Sequence, residues 1–457
     1  MNATWAGLGY LLAAVCFIVA LKALSSPRTA RVGNVIGAAG AVVAVGVVFG
    51  VERPDNLPYI LTALAVGGTV GTVAARRVAM TSMPQMVAAF NGVGGAAGAV
   101  VALLELAGPA GTTPRSQVAV AAFTLLIGSV TFSGSLFTFA KLQDLVTGRP
   151  LVFPGMPVVA AVSVLLALAS GTWLALDAPV WVAVALLAVS LGIGLLLVAP
   201  VGGADVPIVI SLLNAFSGIT VAAGGYVLGN TLLIVAGTLV GASGMLLSQL
   251  MASAMGRSLG NILFGAFAGV STLGATTATD RPVRPTTAEE VAIQLGYAAR
   301  VIVAPGYGLA VAQAQHALRD LADLLEQRGV QVRYAVHPVA GRMPGHMNVL
   351  LAEAKVPYEK LVEMDVINPE FKTTDVVLVV GANDVVNPAA RTSPDSPIYG
   401  MPILAADEAK SVVFLKRSLR PGFAGVENEL LHQPQTRLLF GDAKDSLTKL
   451  VTAVKNL

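Results

Sequence analysis

Nine runs of about 20 mainly apolar residues, the length a helix needs to cross a bilayer, occupy the first 256 positions of this chain, each closed by a short polar gap. They are Gly7–Leu24, Val32–Val51, Leu57–Ala75, Met83–Ala107, Gln117–Ala140, Pro157–Leu176, Val180–Ala199, Val206–Leu228 and Thr231–Met255. In hydrocarbon no water meets the backbone, so each run must bond its own N–H and C=O groups, and a multi-span α-helical membrane bundle follows. Composition agrees: 55% of the residues are hydrophobic and 12% charged, against about 25% charge in a soluble globular protein. Charges are sparse up to Gly256 and dense after Asp280. The expected organisation is a transmembrane domain over 1–256, a linker over 257–289 and a soluble domain over 290–457. Gly7–Leu24 lacks a basic leader and a small-residue cleavage site, so it reads as a span and not as a signal peptide. A net charge of +3, with no basic run interleaved with aromatics, argues against a nucleic-acid partner. The single cysteine, Cys16, excludes a disulfide within the chain.

Loop charges orient the bundle. Lys22, Arg28, Arg31, Arg76, Arg77, Lys141, Arg149 and Arg257 follow the odd-numbered spans, whereas the alternate loops hold only Arg53 and Arg115. The basic side is cytoplasmic, so the N-terminus faces outward and an odd span count delivers the soluble domain to the cytoplasm. Polar side chains within spans are functional candidates. The strongest are Asn91 and Asn214, with Asp205 at the edge of the eighth span and Ser133, Ser135 and Gln249 weaker. An interhelical hydrogen bond is the plain alternative for each. No histidine lies in a span, and Glu105 is the one peripheral carboxylate. The many Gly, Ala, Ser and Thr residues, such as Gly67-Gly68, Gly94-Gly95 and Gly128-Ser129, suit close helix packing.

From Arg300 the pattern changes to short apolar runs alternating with amphipathic ones. Val301-Ile302-Val303 reads as a buried strand, then Pro305-Gly306-Tyr307-Gly308 as a tight turn, then a helix over Leu309 to Gln327. A strand, a glycine turn and a helix in that order can cradle a phosphate; Val311 stands where the third glycine of the usual pattern would be. Further strands are expected at Val330–Val336, Val376–Val380, Ser411–Leu415 and Arg437–Phe440, and helices at Asn348–Ala354, Tyr358–Met364 and Asp442–Lys455. Thr287 and Glu290 are spaced as a capping box for a helix reaching Tyr297. Such alternation gives a Rossmann-like doubly wound parallel sheet, with ligands at the carboxyl ends of its strands. The clusters PGYG, HPVAGRMPGH, GANDVVN, KRS and GDAK each follow a strand. The second strand ends in Val336-His337-Pro338, without the acid that would meet a ribose 2′-hydroxyl, and another ends in Lys416-Arg417-Ser418, which suits a 2′-phosphate. NADP(H) is therefore expected over NAD(H).

The motifs VAPGYGLAVAQAQ, HPVAGRMPGHMNVLLAEAKVPY, GANDVVNPAA, FLKRS and LLFGDAK together resemble the beta subunit of proton-translocating NAD(P) transhydrogenase, over essentially the whole chain. The resemblance implies hydride transfer between NAD(H), on the alpha subunit, and NADP(H) held here, coupled to proton movement through the bundle. It places the pyrophosphate near Val339, Ala340, Gly341, Arg342, Met343 and Pro344. Gly381, Ala382, Asn383, Asp384 and Val385 lie toward the nicotinamide, with Asp384 a coupling acid. Gly400 and Met401 add backbone contacts, and Lys416, Arg417 and Ser418 hold the 2′-phosphate. The segment from Leu419, Arg420, Pro421, Gly422 and Phe423 to Val426 forms a lid, and Asp442 and Ala443 close the site. Two departures stand out: Phe423 replaces a frequent tyrosine, and Asn91 replaces a frequent membrane histidine. Without that histidine, either water carries the proton past Asn91 and Asn214 or a helix of the alpha subunit supplies the titrating group. The implied setting is a bacterial inner membrane, in a dimer of a complex whose alpha subunits bring further membrane helices. An ion transporter gated by a nucleotide-binding regulatory domain is the alternative, but no ion-coordinating filter or buried charge cluster is in the spans. A stand-alone membrane NADPH oxidoreductase would need a haem or flavin, and no histidine pair in the spans could hold haem.

Overall fold

The computed structural model describes residues 3–52, 56–79, 82–108, 113–143, 145–147, 150–176, 178–202, 205–254, 258–264, 281–341, 345–394, 396, 398–422 and 424–457. Arg342, Met343, Pro344 and Phe423 of the expected binding residues lie outside them, as do Arg53, Arg149, Met255, Gly256, Arg257 and 265–280 of the linker. Among the described residues nine helices are long and apolar enough to cross a membrane. They are α1 (Ala3–Leu24), α2 (Pro27–Glu52), α3 (Leu57–Arg77), α4 (Met83–Leu106), α5 (Arg115–Leu142), α6 (Met156–Ala175), α7 (Trp181–Val198), α8 (Val206–Val227) and α9 (Thr231–Ala254). The chain divides into two compact units. Met1–Ala79, Gln85–Val201 and Val209–Ser248 form the first; Met80–Pro84, Gly202–Ile208 and Gln249–Leu457 form the second.

Small residues let the helices of the first unit touch backbone to backbone. A Cβ on Gly95 of α4 would lie 2.8 Å from the Gly128 carbonyl of α5, and one on Gly218 of α8 would lie 2.3 Å from the Gly241 nitrogen of α9. Gly194 of α7 meets the Val130 carbonyl and Ser133 Oγ of α5 at 2.4 and 2.1 Å in the same sense. Cys16 packs against Gly40. The glycines of α3 behave otherwise: Gly67, Gly68 and Gly71 meet nothing within 4 Å, and α3 has no buried residue. Among the described spans α5 is the most enclosed, its buried residues including Ala121, Ala122, Leu125, Ser129, Ser133 and Ser135.

The second unit runs α10 (Leu259–Phe264), α11 (Ala288–Gly296), β1 (Arg300–Pro305), α12 (Tyr307–Val311), α13 (Gln315–Gln327), β2 (Gln331–Val336), α14 (His346–Glu353), β3 (Leu361–Glu363), α15 (Met364–Ile367), β4 (Val376–Val380), α16 (Ala389–Thr392), β5 (Ser411–Lys416), β6 (Thr436–Phe440) and α17 (Ala443–Lys455). All strand pairs are parallel, in the order β3-β2-β1-β4-β5-β6. Strand order reverses between β1 and β4, the position at which open α/β sheets place their ligands. Every residue of β4 is buried, as a central strand covered on both faces requires. On α13 the buried Leu318, Leu321, Ala322 and Leu325 recur at helical spacing and seat it on the sheet.

Three local expectations change. The helix over Leu309 to Gln327 is broken: α12 ends after one turn, Gln313 takes a left-handed φ of 49°, and the Ala314 N–H reaches back to the Leu309 carbonyl. Tyr358–Met364 is not one helix but a 3₁₀ turn, the edge strand β3 and the start of α15. Pairing of Leu361–Glu363 with Tyr334–Val336 decides that segment, because an open sheet edge outweighs a weak helical pattern. At α11, Thr287 caps the Glu290 N–H, but the Glu290 carboxylate bonds to Thr286 Oγ1.

Candidate nucleotide site and membrane polar cluster

At the β1–β4 reversal the two glycine turns are packed into one another. Gly306 N–H donates to the Val380 carbonyl and Gly308 N–H to the Gly381 carbonyl, both at 2.9 Å. A Cβ on Gly306 would lie 2.4 Å from the Gly381 oxygen. Gly381 has φ +69°, and a Cβ there would lie 2.2 Å from the Leu309 nitrogen. The glycines of PGYG therefore serve turn-to-turn contact, and two of the N–H groups that a phosphate cradle would offer are already engaged. Tyr307 lies beside His346, ring centroids 5.9 Å apart, and Val311 is exposed.

The densest polar cluster sits one strand over, at the ends of β4 and β5. Lys416 Nζ donates to Asn383 Oδ1 and to the Arg420 carbonyl, each at 3.0 Å. Asn383 Nδ2 donates to Asp384 Oδ1 at 3.1 Å, and Asp384 Oδ2 accepts the Ala424 N–H at 2.9 Å. Asn428 Nδ2 donates to the Asn383 carbonyl and Asn387 Nδ2 to the Glu427 carbonyl, both at 3.0 Å. Segment 419–428 is thus tied at both ends to the turn after β4. Burial pushes the Lys416 ammonium below its ordinary pKa, and the charge of Asp384 opposes that shift. Arg417, Ser418 and Leu419 beside it are exposed, as are Arg420 and Pro421, while Gly422 is half-buried against Asp384. Ala382 and Val385 are buried in the β4 turn, with Met401 buried beyond it.

On the β2 side, His337 is buried and uses both ring nitrogens. Nδ1 accepts the Val339 N–H at 3.2 Å, so Nε2 carries the proton and donates to the Pro402 carbonyl at 2.8 Å. Burial lowers its pKa to about 4, which keeps the ring neutral. The ring joins the Val339-Ala340-Gly341 loop to the segment after Gly400-Met401. Gly341 has φ +116° and lies against the His346 ring. Asp442 accepts the Lys444 N–H at 3.0 Å and caps α17, just ahead of Ala443. The sequence alone assigned no separate role to His337, Asn387 or Asn428, although His337 opens HPVAGRMPGH and Asn387 closes GANDVVN; membership of those clusters is the signal that could have found the first two. Two of the four histidines, His337 and His346, are buried.

In the first unit Asn91 of α4 is buried and held from two sides. Its Nδ2 donates to Ser135 Oγ of α5 at 2.9 Å, and Ser217 Oγ of α8 donates to its Oδ1 at 2.6 Å. The structure therefore brings Asn91 and Ser135 together and adds Ser217, a residue no sequence pattern singled out. Asn214, one turn earlier on α8, is exposed. Ser133 bonds to carbonyls of its own helix. In the second unit, Asp205 is buried immediately ahead of α8.

A family model described as NAD(P) transhydrogenase beta subunit matches residues 6–453. The chain belongs to that family. Two relatives from Rhodospirillum rubrum, each described as NAD(P) transhydrogenase subunit beta, are 47% identical over 455 residues, covering 97% of this chain and 98% of their own length. With nine helices among the described residues long and apolar enough to cross a membrane, this transhydrogenase beta-subunit family member is a multi-pass membrane protein.

Proposed function

We propose that this chain binds NADP(H) on the carboxyl-end rim of its sheet and exchanges hydride with NAD(H) carried by an alpha subunit, with proton movement through the membrane helices coupled to the exchange. The observation that carries the reading is the cluster joining Lys416, Asn383 and Asp384 to the 419–428 segment. Two of the three Lys416 N–H bonds are spent within the described residues. With exposed Arg417 and Ser418 beside it, this ammonium fits a 2′-phosphate, and the β2 end offers His337 and Pro338 where a 2′-hydroxyl would call for an acid. When bound, the nucleotide supplies the hydride chemistry; the protein orients it and excludes water. Val339 to Pro344 and Gly400-Met401 would hold the pyrophosphate side, Gly381 to Val385 the nicotinamide side, and Asp384 is the acid that ties the lid to it. Asp442-Ala443 closes the rim, and residues 1–256 carry the proton route. Loop charges support a cytoplasmic soluble domain in a bacterial inner membrane. The complex is read as a dimer whose alpha subunits bring further helices.

The test is nucleotide titration of the complex with its alpha subunit. Lys416→Ala should weaken NADPH by at least about tenfold, near 1.4 kcal/mol, the scale of one charge-assisted hydrogen bond. NADH binding at the same rim should change less than about twofold, since it brings no 2′-phosphate. An unchanged NADPH-over-NADH preference would remove the assignment.

A further inference from the structure

The first unit holds one side chain that the proposed reaction does not use and that burial makes conspicuous. Lys141, one residue before the end of α5, is 3% exposed. Its ammonium donates to three backbone carbonyls: Val198 at 3.1 Å, Ala199 at 2.8 Å and Val201 at 2.8 Å. A lysine has three N–H donors and no acceptor, so every donor is used. The three acceptors sit at the carboxyl end of α7, where a helix leaves its last carbonyls without intrahelical partners and carries partial negative charge. The Phe137 ring, one turn back on α5, lies 5.5 Å from Nζ. Gln85 Nε2 of α4 donates to the Leu142 carbonyl at 3.2 Å, so the end of α5 is bound to α4 as well.

This geometry governs where α5 stands along its own axis. Gly194 lets α7 touch α5 backbone to backbone, but such a contact is smooth and resists sliding weakly; three directional bonds from one ammonium do not permit a slide. Ser135 is six residues before Lys141 on the same rigid helix, about 9 Å away at helical rise. Ser135 in turn receives Asn91, and Asn91 receives Ser217, through bonds of 2.9 and 2.6 Å. A displacement of α5 by 1 Å, roughly the tolerance of a hydrogen bond, would open the first of these.

We infer that Lys141 is a positioning residue for proton passage: its ammonium, seated on the carbonyl terminus of α7, holds Ser135 in register with Asn91 and Ser217. The inference rests on the proposed coupling of hydride exchange to proton movement. It assigns Lys141 no contact with a nucleotide, so nucleotide affinity should not respond to its replacement.

The experiment uses the full complex with its alpha subunit in sealed vesicles, comparing wild type with Lys141→Met, Ser135→Ala and the double variant. Lys141→Met should lower kcat for hydride exchange at least tenfold and leave KM for NADPH and for NADH within twofold. Ser135→Ala should lower kcat similarly, and the double variant should lose no more than the worse single one, because both changes break the same register. Should the Met chain fail to assemble, Lys141→Gln carries the same comparison, its amide being too short to span the three carbonyls. An unchanged kcat, a kcat loss matched by weakened NADPH, or losses that multiply in the double variant would each overturn the inference. Wild-type vesicles that exchange hydride without moving protons would instead defeat the proposed function, whatever Lys141 does.

Discussion

His337 shows how a single side chain can join two loops and how its chemistry can be tested. The ring is neutral because burial holds its pKa at about 4, against about 6.5 in an unfolded chain. A depressed histidine pKa means the unfolded state binds the extra proton first, so its contribution is complete above pH 6.5 and is lost as pH falls toward 4. A shift of this size corresponds to about 3 kcal/mol. Denaturant midpoints measured at pH 7 and at pH 4.5 should therefore fall more steeply for wild type than for His337→Gln, which has no proton to gain. Equal slopes would mean that the ring is not closed off from solvent. Lys416 is subject to the same burial penalty, yet its neighbours are a carboxylate and an amide oxygen. Burial makes His337 a neutral brace, whereas at Lys416 the charge of Asp384 opposes the same effect.

At the scale of elements, the two glycine turns at the sheet reversal carry the close packing of β1 on β4. Gly381 combines a positive φ with a missing Cβ that would otherwise sit 2.2 Å from the Leu309 nitrogen. Gly329 also has a positive φ, of 86°, but open space around it. Gly329→Ala should cost about 1 kcal/mol, the backbone penalty alone. Gly381→Ala should cost at least about 3 kcal/mol, since strain and overpacking add. Chemical unfolding of the two variants side by side measures the difference; equal losses would show that the turns can separate freely. In the membrane unit the corresponding contacts are Gly95 on Gly128 and Gly194 on Val130, so α4, α5 and α7 meet through backbone. The amide of Asn91 and the ammonium of Lys141 then add direction to contacts that would otherwise be only close.

For the whole molecule, nine spans and the bias of Lys and Arg predict an outward N-terminus and a cytoplasmic C-terminus. A reporter fused after Leu457 that is active only in the cytoplasm should report activity, and one fused after Met1 should not. The reverse pattern would mean that a span has been counted wrongly. The outcome matters for function, because the proposed ligand is a cytoplasmic nucleotide.

Much of this was legible in order along the chain. Apolar runs near 20 residues long have one solution in a bilayer, and a buried parallel strand is written as a continuous apolar run, so Val376–Val380 could be bounded from its residues alone. The rim was legible for the same reason: parallel strands send all their carboxyl ends to one edge, and polar clusters after five strands must gather there. What the tertiary structure decided are the contacts whose partners are far apart in sequence. The edge strand Leu361–Glu363 exists because β2 leaves an open side, the PGYG turn packs on the turn after β4, with Gly308 N–H on the Gly381 carbonyl, and Asn91 finds Ser217 from 126 residues away. Lys141 entered the sequence reading only as a loop charge; the end of α7 makes it a buried tie. Local pattern specifies which groups must be satisfied, and only the folded chain specifies by whom.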